Sequence, residues 1–222
     1  MLVAKVWFLR LACLAPALLV TLAAVPRITS GLALEAAFPV PTYIAMNVSL
    51  PTKSYKAAAA LLARASASDG ETQILRAEAA RLGGVPDREV VPIVENGLSS
   101  DPASSRGWTL LSETLTHTDR ARSAKALGIA LELSPYDYFL AGRRTRDGAA
   151  LWDILPADSR ALLIRQAALL WTEPLLHREI IPTLSAPGGA ALMTRALSDD
   201  PDQIRKLNQW VLRHRLGIGP QD

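Results

Sequence analysis

The sequence predicts an all-α chain in which a single N-terminal transmembrane helix is followed by an array of antiparallel helical hairpins. Three observations predict it. Ala, Leu and Arg, the best helix formers, dominate, whereas aromatics make up 5% and β-branched runs are sparse, which argues against a β sandwich. Half of the 222 residues are hydrophobic and 20% are charged, too apolar a balance for a disordered chain. From about residue 53 onward, stretches of roughly three to four turns with helical pattern alternate with caps and breakers. The division expected is an anchor over residues 1–26, an extended spacer over 27–52 and a helical domain over 53–222.

The anchor rests on residues 6–25, an apolar stretch with one charge, Arg10, near its start. A helix of about 20 residues spans roughly 30 Å, the thickness of a bilayer core. Arg10 lies about one turn in, where its side chain reaches the headgroups. Lys5 and Arg10 precede the apolar centre, so the positive-inside rule places the N-terminus in the cytoplasm and the C-terminal domain outside it. With 19 Arg against 5 Lys and abundant Ala, which suggest a GC-rich bacterial genome, the expectation is a single-pass protein of a bacterial inner membrane with a periplasmic domain. A cleaved signal peptide, with small residues at Gly31 and Ala33, is the rival reading, and a buried core helix the third. The spacer follows Pro26 and holds Pro39, Pro41 and Pro51, which no long helix survives, with room for a short helical turn around Leu34–Phe38.

Helices are then expected over Tyr55–Ala67, Glu71–Leu82, Asp87–Ser99, Ser104–Thr116 and Asp119–Leu133, with Ser134-Pro135 able to cap the next. Three more follow at 157–171, 174–184 and 188–198. A final helix beyond these has the clearest start, with Asp200 as N-cap, Pro201 in the first turn and Gln203 completing a capping box. Arg213, His214 and Arg215 close it, the sign that the macrodipole favours.

Gly97-Leu98 followed by Pro102, then Trp108, Leu111, Ser112 and Leu115, and finally Ala130-Leu131-Glu132-Leu133-Ser134-Pro135, resemble the tetratricopeptide repeat. The resemblance covers residues about 71–136, with Ile74 and Ala77 standing in the places of Trp and Leu in a degenerate first repeat. It implies stacked helix pairs whose first helices line a concave groove, with groove positions at Arg106, Thr109, Glu113, Thr116 and His117 and a protein partner or partner helix as ligand. A looser run, Leu155-Pro156, Arg160, Gln166 and Leu170-Trp171, is similar to segments of helical-repeat proteins of bacterial exopolysaccharide and O-antigen assembly.

Arg143-Arg144-Thr145-Arg146 is the densest basic cluster; Arg143, Arg144 and Arg146 are candidates for contact with an anion. The net charge of +3 and the lack of interleaved aromatics do not point to nucleic acid. One Cys and three scattered His leave little for a metal centre, and no metal or cofactor is expected. There is no phosphate loop, nucleophile elbow or zincin motif, so no catalytic residues are assigned. The functional expectation is a non-catalytic, membrane-anchored scaffold or adaptor, within envelope polysaccharide biosynthesis or export. The alternative is an exported enzyme acting on envelope glycans, which needs only two carboxylates set by the fold.

Overall fold

A computed structural model describes residues 24–25, 28, 31–32, 35–37, 40, 50–64 and 69–215. Ten α-helices and one 3₁₀ helix are delimited among them: α1 (Thr52–Leu62), α2 (Gly70–Leu82), α3 (Asp87–Ser100), α4 (Ser105–Leu115), α5 (Arg120–Leu133), α6 (Tyr138–Ala150), α7 (Ala157–Thr172), a 3₁₀ helix (Pro174–Glu179), α8 (Ile180–Ser185), α9 (Gly189–Ala196) and α10 (Pro201–Arg215). No strand occurs among the described residues, as the composition predicts.

Three helix pairs follow one another, α2–α3, α4–α5 and α6–α7. The turns between partners are short, and the first helices start at Gly70, Ser105 and Tyr138. Side-chain caps start three of these helices: Ser104 Oγ accepts from Gly107 N at 3.1 Å, Asp119 Oδ1 from Arg122 N at 3.0 Å, and Asp137 Oδ1 from Leu140 N at 3.2 Å. Capping oxygens satisfy amides that a helix start leaves without partners. At α10, Asp200 caps as expected, accepting from Asp202 N at 2.9 Å. Gln203 does not complete the box, because its Oε1 accepts from the Trp171 indole at 2.6 Å instead.

The core is serial. Ala37, Val40, Tyr55, Leu62, Leu75 and Ala79 form one buried cluster, Ile74, Ala77, Val90, Val94, Leu110, Leu115 and Ala126 a second, and Leu127, Leu131, Leu163, Leu170, Ile180 and Leu192 belong to a third. α2 places Leu75 and Ala79 in the first and Ile74 and Ala77 in the second. α5 likewise divides Ala126 from Leu127 and Leu131. A helix with two apolar faces joins the cluster before it to the one after it, the packing logic of a stacked array.

Two expectations are corrected. The N-terminal transmembrane helix lacks support, and with it the placement as a single-pass inner-membrane protein with a periplasmic domain. Among the described residues no helix is long and apolar enough to cross a membrane. The longest, α7, has 16 residues, short of the roughly 20 that a bilayer core requires. Residues 1–23, which carry most of the predicted anchor, lie outside the described residues. In the stretch read as an extended spacer, residues 28, 31–32, 35–37 and 40 are helical, and Ala37 and Val40 are buried against α1 and α2. The basic cluster sits in the middle of α6, which starts at the Asp137 cap rather than at Ser134.

Candidate functional site

The first helices of the three pairs bring their charged residues to one face. α2 contributes Glu78 and Arg81, three residues apart; α4 contributes Arg106 and Glu113, seven apart; α6 contributes Arg143, Arg146 and Asp147. These spacings keep each set on a single side of its helix. Glu179, at the end of the 3₁₀ helix, lies against α6 over Gly142, where a Cβ would collide with its Cγ.

Arg143 is the hub. Its Nε donates to Glu113 Oε1 at 2.5 Å and its Nη2 to Glu113 Oε2 at 2.7 Å, a bidentate fork, while Nη1 donates to Glu78. Glu113 also accepts from Arg81 Nη1 at 3.0 Å, and Glu78 from Arg106 Nε at 2.8 Å. Arg81 Nε reaches Asp87 at 3.1 Å. The carboxylates of Glu78 and Glu113 are 1% exposed, whereas the arginine side chains rise from 15% at Arg143 to 41% at Arg146. Carboxylates therefore form the floor of this face and guanidinium groups its rim.

The rim is incompletely engaged. Arg146 lies 3.9 Å from Glu113, 3.9 Å from Asp147 and 3.7 Å from Glu179, close enough for attraction but beyond hydrogen-bond reach. It makes no hydrogen bond among the described residues. Arg106 engages only its Nε, so both of its terminal nitrogens lack partners among the described residues. A planar fork of donors held in place by charge, with its N–H groups free, suits the capture of a carboxylate or phosphate.

Burial and neighbours set the protonation states. Burial pushes the Glu113 carboxyl up, but the charge and hydrogen bonds of Arg143, with Arg81 and Arg146, bring it net below its ordinary value. Arg143 mirrors this: burial lowers it, and Glu113 and Glu78 hold it well above the usual arginine value. Asp147 goes the other way. Burial, then the negative charge of Glu113, lift it to about 8 against the pull of Arg146, Arg143 and Arg81. Its Oδ2 is buried with no hydrogen-bond partner. A carboxyl that cannot find a donor is better kept neutral.

The predicted site residues thus divide. Arg106 and Glu113, expected in the groove, meet Arg143 and Arg146, expected as anion contacts, in one network. Thr109 is fully buried and accepts from Arg144 Nε at 2.9 Å. Arg144, also fully buried, donates its Nη1 to Ser134 O at 2.6 Å, so it ties α6 to α4 and to the end of α5 and faces no solvent. Burial lowers Arg144 to about 10, with Asp137 opposing and Arg143 adding to the fall. Thr116 donates back to Ser112 O at 2.9 Å and His117 is exposed beyond the helix end; neither joins the network.

Glu78, Arg81, Asp147 and Glu179 were not picked out by the sequence reading. A signal existed for two of them: with Glu113, acidic residues stand at 78, 113 and 147, spaced by about the roughly 34 residues that the resemblance implies. In the looser run, Leu155 and Leu170 are buried. Arg160 Nε donates to Leu155 O at 2.8 Å, and Gln166 Nε2 to Pro135 O at 3.0 Å, fastening the third pair. Among the described residues no three His, Cys, Asp or Glu form a group able to hold a metal ion. No family model, curated protein or solved structure matches the chain.

Proposed function

We propose that this protein is a non-catalytic adaptor of the tetratricopeptide type, whose first-helix face takes an acidic segment of a protein partner. The repeat reading is supported by three successive helix pairs with starts near one repeat length apart, and by the acidic residue recurring in each first helix. One observation carries the binding reading: Arg106 and Arg146 stand at the rim with unengaged donors, held by a floor of buried carboxylates. Glu113 is part of that floor and gives no surface to a partner. Its burial makes a charge reversal there a test of folding, and the rim arginines are the test of binding.

The experiment is binding of fluorescent peptides of equal length that are Glu/Asp-rich, neutral or Lys-rich. The acidic set should bind, more weakly as salt is raised. Arg106→Gln with Arg146→Gln, which removes both charges but leaves Glu78 a side-chain donor, should weaken it by about tenfold or more at unchanged helicity. Equal binding of all three peptides, or an unaffected double variant, would retire the proposal.

A further inference from the structure

A second concavity lies away from the charged face, between α3, α4 and α5. It encloses about 630 Å³, within the range of roughly 300–1,000 Å³ typical of small-molecule sites. Its lining is built from helical spacing. α5 offers Arg122, Lys125, Ala126 and Ile129, at intervals of three and four that share one side. Leu98 comes from α3, and Trp108 and Leu111 from α4.

The chemistry of that lining is divided. Leu98, Leu111 and Ala126 are buried at its base, with Ile129 and Trp108 half-buried beside them. The Trp108 indole N–H donates to Pro102 O at 2.8 Å, which leaves an apolar ring to the concavity. The charged side chains on the lining are Glu95, Arg122 and Lys125. Arg122 pairs with Glu95 across α5 and α3, but Lys125 is exposed and has no partner among the described residues. The lining is therefore apolar below and carries one uncompensated positive charge above.

We propose that this concavity binds a single-chain anionic amphiphile, with the acyl chain against Trp108, Leu111 and Ile129 and the acidic head beside Lys125. Burial of the chain supplies the affinity, since each methylene taken out of water adds to it. Lys125 supplies the choice of head, since a cationic amphiphile would meet its uncompensated charge as a like charge. Neither the adaptor reading nor the rim arginines enter this argument.

The probe is sodium dodecanoate, below its micelle concentration, added to the full chain. Binding is followed by calorimetry and by the ¹⁵N–¹H indole resonances of the five tryptophans, with Trp108 assigned through Trp108→Phe. Saturable binding of one dodecanoate per chain is expected, with the Trp108 resonance moving most. Dodecyltrimethylammonium, of equal chain length, should bind at least about tenfold more weakly, and Lys125→Glu should weaken dodecanoate by a similar factor. Lys125 is exposed, so that variant keeps the fold. Arg106→Gln with Arg146→Gln should leave dodecanoate binding unchanged, which separates this site from the adaptor face. Equal affinity for both heads, an indifferent Lys125→Glu, non-saturable uptake, or a response centred on another tryptophan would overturn the proposal. So would binding of an acidic amphipathic peptide at Trp108 with none of dodecanoate.

Discussion

Asp147 is the residue at which this fold works against itself. Its carboxyl, lifted to about 8 by burial and by Glu113, keeps a proton in the folded chain that the unfolded chain releases near its ordinary value of 3.8. Between those two values the folded state binds more protons than the unfolded one, so stability falls as pH rises through that window and levels off above about 8. Replacing Asp147 by Asn keeps the shape and removes the titration. The Asn variant should match wild type near pH 4 and exceed it at pH 8.5, by about 2–4 kcal/mol in denaturant unfolding. A wild-type curve that rises from pH 5 to 8, with an Asn variant that follows it, would show that Asp147 is ionised throughout. Glu113 has the opposite sign: its lowered value contributes stability that is lost as pH falls through the acid range. Two carboxyls on neighbouring helices thus titrate in contrary senses because Glu113 is hydrogen-bonded by two arginines and Asp147 Oδ2 by nothing.

The helices meet where side chains are smallest. A Cβ at Gly97 would lie 2.8 Å from Ile74 Cγ1, and one at Gly107 2.8 Å from Ile74 Cδ1, so Ile74 of α2 fills a hollow between glycines of α3 and α4. Gly107→Ala should improve the local helix propensity of α4 yet lose about 1–3 kcal/mol through overpacking. Pairing it with Ile74→Ala, which removes one of the two side chains the new Cβ would meet and leaves Leu98 Cδ2 at 2.7 Å, should give a double variant less destabilised than the sum of the singles. Strict additivity in urea unfolding would mean that Gly107 and Ile74 do not share a contact. This level was legible in the sequence: Gly97, Ile74 and the Ser104 and Asp119 caps lie in short local patterns that fix helix ends and interfaces. α6 was not legible. Its polar Arg-Arg-Thr-Arg stretch has no apolar stripe to read: Arg144 is buried through hydrogen bonds to Thr109 of α4 and to Ser134 O after α5, and Thr145 is buried while bonding back to Ala141 O, which local periodicity does not encode. The site was legible in its parts only. Arg106 and Glu113 were found by repeat register and the arginines by charge density, but their meeting depends on how α4 and α6 stack, which no spacing within one helix states.

Across the whole molecule, the charged face replaces what an apolar seam would supply between first helices. Arg143 joins α6 to both α4 and α2, through Glu113 and Glu78, so three consecutive pairs are cross-linked by one guanidinium group. Removing one partner of such a buried pair leaves the other charge uncompensated, a loss of about 3–5 kcal/mol, whereas replacing both with apolar residues of similar volume is often close to neutral. The expected series is therefore ordered. Arg143→Met and Glu113→Met should each be strongly destabilising, and the double variant should recover a large part of the loss. It should not recover all of it, because Glu78 loses the Arg143 bond and Arg81 loses its Glu113 partner in every version that lacks them. Hydrogen exchange should localise the effect. In an array held by neighbour contacts, protection should fall first in α6 and α4, where the bidentate fork was made, with α1 and α10 little changed. A double variant as unstable as the sum of its singles would mean that the arginines act as separate surface charges. Uniform loss of protection from α1 to α10 would mean that the chain unfolds as one indivisible core rather than as stacked pairs.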